Sequence, residues 1–392
     1  AVGVSEAQGA PSVAAGSGSG ETAFDLELDH ALEMAAQGRP GAREELQRLT
    51  QAQSGHPRLV EARLAMAELA LLDKPPRVQD AEGALDACET ALAAQEAGDL
   101  RQRVAYTRIW CRKAEGDWPG VTKSGLAFLK AWPASSLAAE VQMQVADSYF
   151  RQEDFANAQT QYELVAKNHP QSDFAETALF MAGRAAINLR NVDAAIGHWE
   201  SLAIQEGELS RVARIQQALA KRRVGDEQDA LKVVDGLLAE KGLDSQTRLM
   251  LQLEKAELLI QLGITEPKQL AAAVAVLEGL LKDKQVSGVW RARAGYWMAY
   301  ALRRQKQDVA ALAACRDVVE QPELAQRLDP ETGTWYYRAG FLAVELLEEM
   351  KQWEGAARMA EQLAQAGGDR AEEAKDVATK IRLERFLWDE RK

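Results

Sequence analysis

The sequence contains few of the residues that build metal and redox sites. It has three cysteines, Cys88, Cys111 and Cys315, and none stands in a Cys-x-x-Cys pair. This spacing supplies neither a disulfide framework nor a zinc site, so we expect buried free thiols, with a Cys88 to Cys111 bridge as the alternative if the protein is exported. The four histidines are scattered and form no ligand motif. We therefore predict no catalytic residue, no metal site and no cofactor-binding residue.

Long apolar runs and alternating strand patterns are also missing. No run of about 18 apolar residues is present, so we expect no membrane insertion. The net charge is −12, which argues against general binding to nucleic acids or anionic membranes, because those surfaces attract positive charge. Alanine, leucine, glutamate and glutamine are abundant, and this composition favours helices. We expect an all-α chain without nucleic-acid partners.

Residues 139–172 have the pattern of a helical hairpin. Apolar residues recur at helical spacing in two short segments separated by a turn. Ala146 and Ala158 are small enough to let two helix backbones approach, and aromatic residues surround them. Pro170 ends the second helix, and Ser172 is placed to cap the next one.

The same unit recurs at a fixed spacing. At 37 residues further along the chain, Ala146, Ala158 and Tyr162 are matched by Gly183, Ala195 and Trp199. At 37 residues earlier, Asp154, Pro170 and Ser172 are matched by Asp117, Pro133 and Ser135. Matched small and large positions at one spacing indicate a repeat array, since a single hairpin cannot bury both of its faces and needs a neighbour.

This pattern resembles the tetratricopeptide repeat, which has a small residue at its eighth position, alanine at its twentieth and often an aromatic at its twenty-fourth. The usual unit has about 34 residues, so the spacing of 37 is a departure. The longer units and the Pro-x-Ser junctions at 133–135 and 170–172 are similar to repeats of bacterial cell-envelope proteins, of the type found in the outer-membrane assembly lipoprotein and the Tol-Pal coordinator. The resemblance implies a right-handed α-solenoid of antiparallel helical hairpins.

We divide the chain into five segments on this basis. They are a flexible tether (1–22), N-terminal degenerate repeats (23–97), clear tetratricopeptide-like repeats (98–206), C-terminal degenerate repeats (207–369) and a terminal capping helix (370–392). Val377, Ile381 and Phe386 of the last helix would cover the open end of the stack.

The first 22 residues are rich in glycine, serine and alanine and begin with Ala1 rather than methionine. A segment of this composition cannot bury enough surface to fold and is typical of a flexible tether. A secretory signal already removed or an arbitrary boundary would each explain the missing methionine. With the resemblance to cell-envelope repeats, the first explanation predicts a periplasmic or otherwise exported protein, and the cytoplasm is the alternative.

In tetratricopeptide arrays the first helices of successive hairpins line a concave groove. With Ala299 at the eighth position of one repeat and Ala356 at the twentieth of the next, the resemblance implies which residues would line the groove here. They are Arg293, Tyr296, Tyr300, Arg303, Arg304, Arg338 and Phe341, with Trp297, Trp335, Tyr336 and Tyr337 close by in the sequence. Aromatic residues mixed with arginines are typical of interface anchors, whereas the alternative is that these rings pack between hairpins as core.

Together these patterns favour a non-enzymatic adaptor of about nine helical hairpins plus a terminal helix. It would hold a partner protein or peptide in its groove. A first alternative is a structural module that self-assembles into a homo-oligomer. A second is an enzyme with an acidic site, which would require a buried, closely spaced pair of carboxylates in a cleft.

Overall fold

The computed structural model describes residues 23–52, 55–93, 98–203, 208–283, 286, 288–321, 324 and 329–385. This part of the chain contains 19 helices and no strand. The helices are α1 Ala23–Ala36, α2 Ala42–Ala52, α3 Leu59–Leu72, α4 Val78–Leu92, α5 Gly98–Glu115, α6 Trp118–Ala131, α7 Ala138–Arg151, α8 Phe155–Asn168, α9 Ala175–Asn188, α10 Val192–Ala203, α11 Glu208–Arg223, α12 Glu227–Leu238, α13 Ser245–Leu262, α14 Lys268–Lys282, α15 Gly288–Arg304, α16 Asp308–Val319, α17 Pro330–Glu349, α18 Trp353–Ala366 and α19 Ala371–Glu384.

The chain divides into two compact units, Ala1–Ala185 and Ala186–Lys392, and the division falls within α9. In the first unit each helix from α1 to α7 packs against the next one along the chain, and α3 also contacts α1 and α5. Packing in chain order is what a stack of hairpins produces, because each hairpin covers an apolar face of its neighbour.

The hairpin of α7 and α8 shows why the small residues are needed. Ala146 and Ala158 are both fully buried, and Tyr162 packs with them in one cluster. The Tyr162 hydroxyl donates a hydrogen bond of 2.6 Å to a carboxylate oxygen of Asp147. Burial raises the pKa of Asp147 above its usual range, although this hydrogen bond opposes the shift. The predicted hairpin is confirmed at residue level.

One turn geometry joins the helices of most hairpins. The residue that precedes the capping residue of the second helix has a positive φ at six places: Gly116, Glu153, Arg190, Gly225, Lys306 and Lys351. At four of them the next side chain is Asp or Asn and accepts a hydrogen bond from a backbone N–H of the new helix, as Asp154 does from Asn157 at 3.2 Å. The left-handed residue reverses the chain and the cap starts the second helix.

In the second unit the helices from α10 to α19 also pack in chain order, with α14 against α15 and α16 against α17. Among the first helices of three successive hairpins, α15 contacts both α13 and α17. The last helix, α19, packs on α18 through Ala374, Ala378 and Ile381, while Glu372 and Lys375 are exposed. Phe386, which we expected in this contact, lies outside the described residues, as does the 1–22 segment.

The all-α fold class of helical hairpins is confirmed, and the 19 helices among the described residues are the number that nine hairpins and a terminal helix require. The cap predicted at Ser172 is wrong, because α9 begins at Ala175 and the Ser172 hydroxyl donates instead to the His169 carbonyl at 2.8 Å. The three cysteines are buried and unpaired, as expected. Among the described residues no helix combines the length and the hydropathy that crossing a bilayer requires. The division into five segments stays a prediction.

Candidate partner-binding surface

The seven residues that the sequence assigned to a groove lie on two neighbouring first helices. Five of them are on α15 and two, Arg338 and Phe341, are on α17. These helices contact each other along their length. The structure therefore brings the two groups of residues to one side of the second unit, although it separates them into three sets with different surroundings.

The first set is a cluster of four half-buried rings, which we call the aromatic face: Tyr296, Trp297 and Tyr300 of α15 and Trp335 of α17. Ring centroids are 5.6 Å apart for Tyr296 and Trp335, 6.0 Å for Trp297 and Trp335, and 5.6 Å for Trp297 and Tyr300. Burial raises the pKa of the Tyr296 hydroxyl above its usual range. Rings at these distances pack against one another, and all four remain partly exposed.

Two predicted arginines lie over this face. The guanidinium of Arg293 is 5.3 Å from the Trp335 ring centroid, and that of Arg338 is 4.8 Å from the same centroid and 5.9 Å from Tyr296. Such cation–π contacts hold a guanidinium in place while leaving its outer edge available to a ligand. Arg338 is exposed, so its donors face solvent.

A buried ion cluster lies next to the aromatic face and joins helices α11, α13 and α15. On α13, Glu254 and Glu257 have side chains that are only 8% and 9% exposed. Arg222 of α11 donates to one oxygen of each at 3.0 and 2.9 Å, and Arg293 donates to the other Glu257 oxygen at 2.7 Å. Three of the four carboxylate oxygens thus accept from arginine. The fourth, Glu254 Oε1, is buried and accepts no hydrogen bond from the described residues.

The buried environment of Glu254 shifts the pKa of its carboxyl group. Burial raises the pKa of its carboxyl above the usual range, while Arg222 opposes the shift. The two glutamates are a buried carboxylate pair of the kind that an acidic active site would need. They line neither of the two cavities between α14 and α16, and two arginines balance their charge. Their arrangement suits an ion cluster that holds three hairpins together.

Sequence reasoning missed this cluster because its four residues lie on three helices, α11, α13 and α15, and are far apart along the chain. The signal that could have found it is the repeat spacing. Arg222 precedes Glu254 by 32 residues, and Arg293 follows Glu257 by 36 residues, so each arginine is about one repeat from its carboxylate. Opposite charges one repeat apart on parallel first helices are placed to meet.

Of the remaining predicted residues, Arg303 and Arg304 form the second set and Phe341 forms the third. Arg303 bridges to α17 through Glu345 at 2.6 Å and Glu349 at 2.5 Å, and Arg304, one residue on, is exposed. Phe341 stacks on Tyr337 with centroids 6.1 Å apart, and the Arg370 guanidinium lies 4.5 Å above it. None of these three residues touches the aromatic face through the described contacts, and their role in binding stays a prediction.

Two aromatic neighbours belong to the core. Tyr336 and Tyr337 are 0% and 2% exposed, and each hydroxyl donates to a backbone carbonyl, that of Val319 at 3.5 Å and that of Leu363 at 3.2 Å. The alternative that aromatic residues pack as core therefore holds for these two. Within the described residues no group of three or more His, Cys, Asp or Glu side chains is placed to hold a metal ion.

Comparison with protein families matches residues 140–172 to the tetratricopeptide repeat. No curated protein matches the chain. Among solved structures, a tetratricopeptide repeat protein from Parabacteroides merdae ATCC 43184 is 15% identical with a TM-score of 0.41, covering 71% of this chain and 98% of its own. The apo form of RapI is 13% identical with a TM-score of 0.43, covering 84% and 98%. The apo form of the quorum sensor NprR from B. thuringiensis is 11% identical with a TM-score of 0.37, covering 91% and 97%.

Similarity this low between whole structures does not extend to function. The family match covers α8 and all but the first two residues of α7. It falls on the unit in which Ala146, Ala158 and Tyr162 were identified from spacing alone. The α7–α8 hairpin is therefore similar to one tetratricopeptide repeat in both its sequence and its packing.

Proposed function

We propose that the protein is a scaffold that binds a segment of a partner protein on the aromatic face of α15 and α17. The observation that carries the proposal is a cluster of four half-buried rings, two of which, Trp335 and Tyr296, have an arginine held over them. Tyr336 and Tyr337 show that this chain buries a ring fully when the ring belongs to the core. Rings that remain partly exposed under an exposed Arg338 have the composition of binding hot spots.

The chemistry of the aromatic face favours a protein segment that carries acidic and apolar side chains. The guanidinium of Arg338 is exposed beside Trp335, so it can pair with a carboxylate of the ligand. The half-buried rings next to it offer apolar area to a neighbouring side chain. Trp297 Nε1 and Glu254 Oε1 are buried beneath this surface, and neither has a hydrogen-bond partner among the described residues.

A crosslinking experiment tests the proposal in the full chain. Benzoylphenylalanine in place of Tyr300 is expected to capture a protein in the native host on irradiation. Adding Arg338→Glu should lower the yield of that adduct about tenfold, the effect of removing a hot-spot residue. Arg358→Glu is the matched control, because Arg358 is 70% exposed on α18 and the substitution changes the net charge equally.

The two arginine variants separate the possible results. Equal adduct yields from Arg338→Glu and Arg358→Glu would remove the aromatic face as the binding site. If the adduct is only a second copy of this chain, the self-assembly alternative replaces the proposal. Both variants change exposed side chains, so circular dichroism spectra that match the parent protein would show that neither effect comes from unfolding.

The setting that we propose is the bacterial cell envelope. The support is the resemblance of the Pro-x-Ser junctions at 133–135 and 170–172 to repeats of envelope proteins. The test is fractionation of the native host with an antibody against this protein. Its release with periplasmic contents is expected, and its recovery only with a cytoplasmic marker enzyme would refute the proposed location.

A further inference from the structure

We infer that the second unit has another binding site, a groove between the second helices α14 and α16 that accepts a basic amphipathic helix of a partner protein. The groove goes beyond the proposed function because none of the four rings of the aromatic face lines it. It lies between the second helices of two neighbouring hairpins, α13–α14 and α15–α16, whereas the aromatic face lies on the first helices α15 and α17. A scaffold with both sites would hold two different segments.

The groove consists of two joined cavities of about 440 and 390 Å³. Four residues line both of them, Glu278 of α14, Met298 of α15, and Ala314 and Asp317 of α16, so the cavities are continuous. The floor is apolar, because Met298 is joined there by Gly295, Leu302 and Val318. The described contacts between α14 and α16 are sparse, and both helices pack on α15 instead.

The walls are made of small side chains. Ala271 of α14 and Ala310 and Ala313 of α16 line the second cavity and are all exposed. Short side chains on both banks let the backbone of a third helix approach closely, as in other helix pairs with small residues at the contact. Bulky side chains at these positions would keep a third helix out of the groove.

The length of the groove also suits a helix. Its lining residues on α16 run from Ala310 to Val318, near the two ends of that helix. With a rise of about 1.5 Å per residue, a helix the length of α16 spans roughly 18 Å. A ligand helix of three to four turns, placed in a groove with anchors about one turn apart, would bury its apolar stripe on Met298 and Leu302.

Charge selects the kind of helix. Glu278 stands on one bank and Asp317 on the other, and these are the two charged side chains that line the second cavity. The first cavity is also lined by Lys282, Arg291 and Glu320, so the acidic part of the groove is the second cavity. Glu278 pairs with Lys282 of its own helix at 3.8 Å, and that lysine is 80% exposed, so the pair contributes little. Opposed carboxylates beside the apolar floor of the second cavity favour a ligand with lysine or arginine on each side of an apolar stripe. The net charge of −12 would further attract such a segment.

The probe for the test is a fluorescein-labelled amphipathic peptide of leucine, alanine and lysine, about four turns long, titrated with the full chain and followed by fluorescence anisotropy. The double variant Glu278→Lys with Asp317→Lys should weaken binding about tenfold or more. The matched control is Glu372→Lys with Asp376→Lys, which changes the net charge equally on the exposed side of α19, away from the groove. That control should change binding less than about twofold.

A second pair of variants tests the shape of the site without charge. Ala313→Trp places a ring in the second cavity, whereas Ala272→Trp adds the same ring on an exposed α14 position that lines neither cavity. We expect the first to abolish peptide binding and the second to preserve it. Both positions are exposed, so helicity by circular dichroism should remain that of the parent protein.

Three results would overturn the proposal. The wild-type protein could fail to bind the peptide, both charge variants could weaken binding equally, or both tryptophan variants could leave it unchanged. Light scattering adds a fourth: a dimer of the wild-type chain that Ala313→Trp converts to monomer would show that a second copy occupies the groove. Loss of the Tyr300 crosslink in Arg338→Glu would bear only on the aromatic face.

Discussion

Alanine in place of two helical glycines on neighbouring hairpins should stabilise the protein at one position and fail to stabilise it at the other. Gly279 lies on an exposed position of α14, and an added Cβ there would meet nothing within 4 Å. Gly295 is buried on α15, and an added Cβ would lie 2.3 Å from a methyl carbon of Val318 on α16. The chemical change is the same, so the surroundings decide its sign.

The magnitude follows from two contributions. Alanine stabilises a helix interior by about 1 kcal/mol relative to glycine, and both variants gain this. At Gly295 the clash with Val318 opposes it by roughly 1–3 kcal/mol, the usual penalty for overpacking a core. Val318 is 2% exposed, and a β-branched side chain in a helix has one strongly preferred χ1 rotamer, so moving its methyl group is costly. We expect Gly279→Ala to be about 1 kcal/mol more stable and Gly295→Ala to be unchanged or up to about 2 kcal/mol less stable.

Urea unfolding followed by circular dichroism measures the difference, and hydrogen exchange of the α15 and α16 amides measures it locally, because stacked hairpins need not unfold in one step. Adding Val318→Ala should cost less in the Gly295→Ala background than in the parent protein, since the smaller side chain relieves the clash. Equal increases in stability for both glycine variants would show that α15 and α16 are not in the close contact described here.

Three further predictions concern the first unit and the thiols. Because burial raises the pKa of Asp147 from 3.8, the folded state binds more protons than the unfolded state, and the free energy of unfolding should fall as the pH rises above about 4; Asp147→Asn should remove this slope in urea titrations at several pH values. Glu153→Gly should raise the free energy of unfolding by about 0.5–1 kcal/mol, because Glu153 has a φ of 60° and only glycine adopts this conformation without a steric cost. Urea titration measures the change, and a lower midpoint for the variant would refute this. Cys88, Cys111 and Cys315 should react with a thiol reagent at pH 8 only after unfolding, because burial raises the pKa values of their thiols to about 11, 11 and 12. Fast reaction of the native protein would contradict this prediction.

The hairpins could be predicted from sequence because the relevant signals are local. A turn followed by a capping Asp or Asn recurs every 35 to 37 residues at Asp117, Asp154, Asn191 and Asp226. For the hairpin predicted within residues 139–172, the structure gives helices at Ala138–Arg151 and Phe155–Asn168. The same rule works even where the repeat is weak, since Lys306 and Lys351 take the left-handed turn position without glycine.

The candidate surface could be predicted only in part, because it depends on which side of a helix faces its neighbours. Trp335, Tyr336 and Tyr337 are consecutive, and an α-helix turns about 100° per residue. Trp335 therefore lies at the surface, while Tyr336 and Tyr337 face the core. Because α17 is apolar on several sides, the periodicity of its sequence does not show which of the three rings is the exposed one. The register between α15 and α17, which pairs Arg303 with Glu345 and Glu349, is likewise set by tertiary packing.

The buried ions explain how a binding surface can be positioned by a stack of separate hairpins. Glu257 accepts from Arg222 of α11 and from Arg293 of α15, so one carboxylate fixes three successive first helices. A lone buried charge is strongly unfavourable, which means that removing either arginine alone destabilises more than the bond it made. Arg293 also lies over Trp335 of α17. Displacement of one hairpin would therefore strain the ion cluster and shift the aromatic face together, and a partner that grips that face would stabilise the stacking of the hairpins beneath it.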